Sequence, residues 1–323
     1  MLRSLTLTLT LALATPALAD FPETVNTHIL PGYAAFAAAT KALAEAADKS
    51  CDPAGLKAPF NAAFDAWVAI QHIQFGPIAN GDSLAIEFWP DPKGQGAKAQ
   101  RELLTGDPAA LTPENFAEQS VAARGLSGLE RLLYPTVPLT TDTCPLIRAT
   151  ATDLARMASE VQAAWLGGYA QTMLTAGDPG NTTFLTRPEV RQALFTQLIA
   201  GLEFQLDQRL ARPLGTFDQP RPERAEARAS GRSVTNIRVA LRALKAMAES
   251  LTPDAPLTQT AFDRAITLAD KLDDPTFAGV ATPSGRLKVE ILQQSITAVR
   301  DTALRELAPE LDVGIGFNAA DGD

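Results

Sequence analysis

Arg124-Gly-Leu-Ser-Gly-Leu-Glu-Arg-Leu-Leu-Tyr134 holds the carboxylate in this sequence most in need of an explanation. A helix advances about 100° per residue, so Leu126, Leu129 and Leu133 fall on one apolar stripe. Glu130 sits about 40° from Leu126, at the edge of that stripe, with Ser127 and Tyr134 just beyond it. An ionised carboxylate in such a place needs a partner, either a cation, a set of hydrogen-bond donors or a metal ion. Arg124 and Arg232 are the candidate charge partners. A second group is Glu87-Phe-Trp-Pro-Asp91, where two hard oxygen donors flank Trp89 between two loops. The bland reading is that Trp89 covers a bundle end and both carboxylates face water. His72 lies near the end of a helix and is either a metal ligand or a helix-end histidine bonded to backbone. His28, near a flexible N-terminus, is the weaker of the two histidines. Glu226, Ser230, Arg232, Ser233 and Asn236 form a polar run entering a helix, where backbone donors could receive Glu130 or a ligand, or simply cap the helix.

Two hydrolytic chemistries are disfavoured. Gly125-Leu-Ser-Gly128 misses G-x-S-x-G by one position, and a nucleophile elbow needs a preceding strand that the pattern does not provide. No H-E-x-x-H occurs, and no two histidines stand four residues apart. The formal charge of −9 argues against nucleic acid and against adsorption to an anionic membrane surface.

The elements that must position these residues are helical. Of 323 residues, 46% are hydrophobic and 20% charged, a globular balance. Arg3, the apolar run Leu5 to Leu13 and Ala17-Leu18-Ala19 read as a signal peptide (1–19), cut before Asp20 on export. No later run is long and apolar enough to span a membrane. Cys51 and Cys144 are expected to form a disulfide, as two cysteines in an exported chain most simply do; a two-cysteine metal site is the rival. Apolar residues recur at helical spacing from Pro31 to Lys49, from Asp52 to Ile73, over 95–104, 113–119, 124–134 and 144–175, then to Leu210, and again over 234–248, 258–273 and 285–308. Thr186-Arg-Pro-Glu189 reads as a capping box. The expected architecture is all-α, two packed antiparallel helical bundles, divided at the Ala176–Asn181 turn into 20–178 and 179–323.

With these blocks the chain resembles the imelysin-like family of exported bacterial proteins. The resemblance is carried by Ala66-Trp67 through Phe75-Gly76-Pro77, Glu87–Asp91, Arg124–Tyr134, Glu226–Asn236 and the ending Gly316–Asp323, in that order, and spans residue 25 to the end. It implies a two-bundle helical fold, a periplasmic or surface location, and a part in iron or other metal acquisition. It also implies a metallopeptidase alternative, since the family signature G-x-H-x-x-E offers a histidine and a glutamate as metal ligands. Here Gly125 and Glu130 match, but Ser127 occupies the histidine position, and a hydroxyl is a poor ligand for zinc. The leading expectation is a non-enzymatic binding protein with a site between the bundles, using Glu87, Trp89, Asp91, Arg124, Ser127, Glu130, Arg232, Ser233 and Asn236. A metal ion, iron or zinc, would be held by Glu130, Glu87, Asp91 and His72. Its partners would be a metal or small ligand and other periplasmic uptake components. The remaining alternative is an interaction scaffold in which Glu130 makes an internal ion pair.

Overall fold

The structure is a computed structural model and describes residues 20–78, 82–138 and 141–314. The signal segment and the ending from Ile315 lie outside these residues. Every regular element among them is helical, as the 3.6-residue periodicity implies. One set of helices comprises Leu30–Lys49, Pro53–Val68, Gly125–Leu133 and Cys144–Ala164, packed on one another. A second set comprises Arg187–Glu203, Ser233–Leu251, Pro256–Lys271 and Pro283–Leu311. The two sets meet where Ser233–Leu251 packs on Pro53–Val68. No helix among the described residues is long and apolar enough to cross a membrane.

The predicted spans hold in outline, with instructive departures. The first helical segment begins at Phe21, capped by Asp20, rather than at Pro31, and runs through Phe21–Thr24 and a π turn at Val25–Ile29 into Leu30–Lys49. Pro31 cannot donate to the carbonyl four residues back and its ring would collide with it. Widening the preceding turn lets the helix pass through the proline, with the Leu30 N–H donating to the Val25 carbonyl. This added stretch crosses to the second set, where Ser250 Oγ donates to Thr24 Oγ1 at 2.9 Å. Asp20 accepts from Arg191 Nε at 2.7 Å and Nη2 at 2.8 Å, and caps Phe21 N at 2.7 Å. The second helix stops at Val68 rather than Ile73, and the chain turns through Ala69–Ile73. At Thr186 the capping box is not made: the Thr186 side chain makes no cap bond, and Glu189 accepts from Leu185 N, one residue before the cap, at 2.8 Å.

Cys51 and Cys144 are disulfide-bonded, 93 residues apart in sequence, and tie the end of the first long helix to the start of Cys144–Ala164. The core is aromatic at its centre: fully buried Trp165 stacks on Tyr33 at 5.6 Å, and Phe36 packs on Trp67 at 5.3 Å.

Candidate binding site between the helix bundles

The Gly125–Leu133 helix is held too tightly to tolerate side chains at its glycines. Gly125 has φ +63° and a Cβ there would lie 2.2 Å from the Ile86 carbonyl oxygen; one on Gly128 would lie 2.4 Å from that of Ala123. Ser127 is buried in this helix. Arg124 is spent locally, donating from Nε to Asp153 Oδ2 at 2.8 Å and from Nη1 to the Ala117 carbonyl at 2.6 Å. It is therefore not the partner of Glu130. Nor is Arg232, which donates to Asn61 Oδ1 at 3.1 Å and pairs with Asp65.

Glu130 instead docks on the polar run of the second set. Its Oε1 accepts from Ser230 N at 2.8 Å and from Ser230 Oγ at 2.7 Å. Burial raises the Glu130 pKa, and the two Ser230 bonds oppose that rise. The rest of the run is organised by Glu226. Arg209 clamps this carboxylate with Nε at 2.7 Å and Nη2 at 3.0 Å, and both side chains are almost fully buried. Asn236 Nδ2 donates to Glu226 Oε2 at 2.6 Å, and Ser233 Oγ donates to the Glu226 carbonyl at 2.6 Å. Ser233 and Asn236 thus serve an internal ion pair. Arg209 was hidden from sequence reading by the leucine stripe around it; its only signal is Gln205 one turn earlier, whose Oε1 accepts from Arg209 Nη1 at 3.0 Å.

Above this pair lies a cavity of about 330 Å³ between the two sets of helices. Trp67, His72, Glu87 and Trp89 line it from one side, Phe204 and Leu244 from the other. Glu87 is 9% exposed and its Oε2 accepts from Trp67 Nε1 at 2.8 Å. Burial, then the Glu226 carboxylate, push its pKa well above the usual glutamate range, so the neutral acid is favoured. Trp89 meets Phe204 edge-on at 6.2 Å, with the Arg212 guanidinium 5.7 Å from its ring.

His72 and His28 meet. Their Nε2 atoms are 2.9 Å apart, across 44 residues of sequence. Burial lowers the pKa of His28 to about 4 and holds that of His72 well below the histidine range, with His28 adding to the latter shift. His28 is thus no loose terminal residue: it belongs to the π turn that carries the helix through Pro31.

Of the four expected metal ligands, His72 and Glu87 line the cavity and the other two do not. Asp91 caps the Gln95–Thr105 helix, accepting from Gln95 N and Gly96 N at 2.8 Å each. Glu130 is taken by Ser230. Among the described residues, no three His, Cys, Asp or Glu come together as a metal-ligating group.

No curated protein matches the chain. Among solved structures, an imelysin-like protein from Psychrobacter arcticum superposes with a TM-score of 0.77 at 21% identity, over 91% of this chain and 95% of that one. A protein described as an iron-regulated protein A precursor, from Parabacteroides distasonis, gives 0.63 at 14% identity, over 90% of this chain and 97% of that one. At such identities the likeness is one of fold. The sequence itself goes further: the family model Imelysin (Peptidase_M75) matches residues 29–303, most of the chain's length, and the protein belongs to the imelysin family.

Proposed function

We propose that this is an exported, periplasmic, non-enzymatic binding protein of iron or metal uptake that takes its ligand into the cavity between the two bundles, 20–178 and 179–323. The carrying observation is that cavity, about 330 Å³ in volume, with aromatic walls and a buried acid, Glu87. Family membership and the iron-regulated description of the Parabacteroides protein support the link to metal. Two ionisable donors, His72 and Glu87, line the cavity, fewer than the three protein ligands usual for a catalytic zinc. The donor set fits a cargo that brings its own ligands, such as a small metal chelate, better than a bare ion held by protein alone. Trp89 and Phe204 would wall such a ligand, and other uptake components would receive it.

The test uses ferric citrate as a small oxygen-donor chelate and the mature chain from Asp20. The chain has three tryptophans, and Trp67 and Trp89 line the cavity, so binding should quench fluorescence to saturation. Gly201→Leu blocks the space, because a Cβ there already meets Leu244 Cδ2 at 2.6 Å and His72 Cβ at 3.0 Å. Saturable quenching that the blocked variant loses is the expected result. Quenching unchanged by that variant, or chelator-sensitive cleavage of an unfolded protein substrate, would replace this reading with a different site or with the peptidase alternative.

A further inference from the structure

Two polar side chains in the cavity wall keep an atom without a partner. Gln71 and Glu87 are each 9% exposed, and both line the cavity. Oε1 of Gln71 and Oε1 of Glu87 are buried, and neither makes a hydrogen bond among the described residues. Buried polar atoms are nearly always paired, because leaving one unsatisfied is costly. Trp67 links the two side chains to one stretch of wall: Gln71 follows it by four residues, and Trp67 Nε1 donates to Glu87 Oε2 at 2.8 Å.

That bond sorts the two oxygens of Glu87. Oε2 accepts, so in the acid form that burial favours the proton belongs on Oε1. Glu226, whose charge acts on Glu87, has both of its oxygens held by Arg209, and Oε2 by Asn236 as well. Glu87 Oε1 is therefore a donor without an acceptor, and Gln71 Oε1 is an acceptor without a donor.

The wall offers no charge to balance an ion. Glu87 and His72 are its titratable members among the described residues. Burial favours the neutral form of each. Two arginines touch the aromatic walls, Arg209 at 5.2 Å from the Phe204 ring and Arg212 at 5.7 Å from that of Trp89, but neither lines the cavity. Arg209 is held by Glu226, and Arg212 Nη1 donates to Gln208 Oε1 at 3.3 Å. An ion entering this space would lose its water without gaining a counter-charge, which is unfavourable.

We infer that the cavity selects an uncharged ligand that presents an oxygen acceptor to Glu87 and an N–H or O–H donor to Gln71, and that its metal-carrying form is a neutral hydroxamate-type chelate. The inference rests on the reading of the cavity as the site of a chelate. It adds the net charge of that chelate and the two side chains that choose it. Hydroxamate meets both conditions. Three singly charged hydroxamates cancel the charge of iron(III), their oxygens can still accept a hydrogen bond, and their nitrogens can carry an N–H. Citrate also offers acceptors, but its iron complexes keep negative charge, so they enter against the cost of desolvation. Glu87 keeps its proton throughout and acts as a neutral donor.

The test is equilibrium dialysis of the mature chain at neutral pH. Tris(acetohydroxamato)iron(III), which is neutral, is compared with ferric citrate, which is anionic, and with acetohydroxamic acid without iron. One neutral complex per chain is expected, bound at least about tenfold more tightly than ferric citrate. Gln71→Met should weaken that binding at least about fivefold while leaving the melting temperature unchanged or higher, since Gln71 Oε1 has no bond to lose inside the chain. Glu87→Gln should keep the affinity within about threefold, because the amide still accepts from Trp67 and donates where the acid did. Ferric citrate bound as tightly as the neutral complex, with both lost in Gly201→Leu, overturns the inference and leaves the chelate reading standing. Loss of uptake in a folded Glu87→Gln does the same. Acetohydroxamic acid that binds as tightly as its iron complex, and is blocked by Gly201→Leu, supports the uncharged site and removes the metal cargo. Uptake of none of the three probes overturns both.

Discussion

Arg209→Met is the sharpest perturbation of the ground beneath the cavity. Arg209 and Glu226 are 1% and 2% exposed and joined by two bonds of 2.7 and 3.0 Å. Removing one member of such a pair costs about 3–5 kcal/mol, because the other charge stays buried and unpaired. Unfolding entropy near 2.1 cal/mol/K per residue makes that a fall of about 5–8 °C in melting temperature if the mature chain unfolds as one unit. Glu87 gives the loss a pH signature. Arg209 is one of the groups that hold the Glu87 pKa down, so in the variant that pKa climbs further above the free value of 4.5. A carboxyl group whose folded pKa is raised stabilises the fold below its unfolded value and loses that contribution as pH rises. The deficit of the variant should therefore grow as pH rises above the already raised Glu87 pKa of the parent. Urea denaturation at several pH values reads both effects. The double variant Arg209→Met/Glu226→Leu should recover most of the loss, since an apolar pair of similar volume can replace a buried ion pair. A single variant within about 1 kcal/mol of the parent, or a deficit that shrinks as pH rises, would refute the argument.

Ser230→Ala removes one of the two donors to Glu130 and should cost about 1–2 kcal/mol in urea denaturation, the backbone N–H at 2.8 Å remaining. Reducing the Cys51–Cys144 bond releases a loop of 93 residues and should lower stability by about 4.5 kcal/mol in the chain-entropy treatment, seen as a lower melting temperature in reductant. In metal-free protein, His28 has its pKa lowered from 6.5 to about 4, so the unfolded chain binds the proton first and stability falls as pH drops through that window. His28→Gln should abolish about 3 kcal/mol of that fall; a parent that gains on the variant in acid would mean the pair captures a shared proton instead.

The helical architecture was legible because long apolar stripes such as Val234, Ile237, Leu241 and Leu244 leave no competing period. The disulfide was legible from compartment and count. That Glu130 could dock on the 226–236 run was visible as one option because a helix entrance offers backbone donors, and Ser230 is where it docks. What sequence could not supply was pairing at long range. Arg124 lies six residues from Glu130 and looks like its partner, yet it turns to Asp153, and Ser230, 100 residues away, takes the carboxylate. His28 was placed near a flexible N-terminus, ahead of a helix start at Pro31, and only a π turn, which leaves no mark in residue type, lets the helix run on behind the proline.

These contacts give the signature glutamate a task that needs no histidine beside it. Glu130 is fixed by Ser230, Ser230 stands four residues from Glu226, and Glu226 is locked by Arg209 and Asn236. Glu130 and Ser230 join the Gly125–Leu133 helix to the second set of helices, and the same polar run carries Glu226, whose charge is one cause of the raised Glu87 pKa at the cavity. An added Cβ on Gly125 or Gly128 of this helix would lie under 2.5 Å from a neighbouring carbonyl oxygen. Ser127 is buried in that helix, and Glu130 couples the two sets of helices through Ser230. Retention of the glutamate then has a physical reason that needs no histidine at 127: the carboxylate acts as an anchor across the interface, held by the backbone and side chain of Ser230.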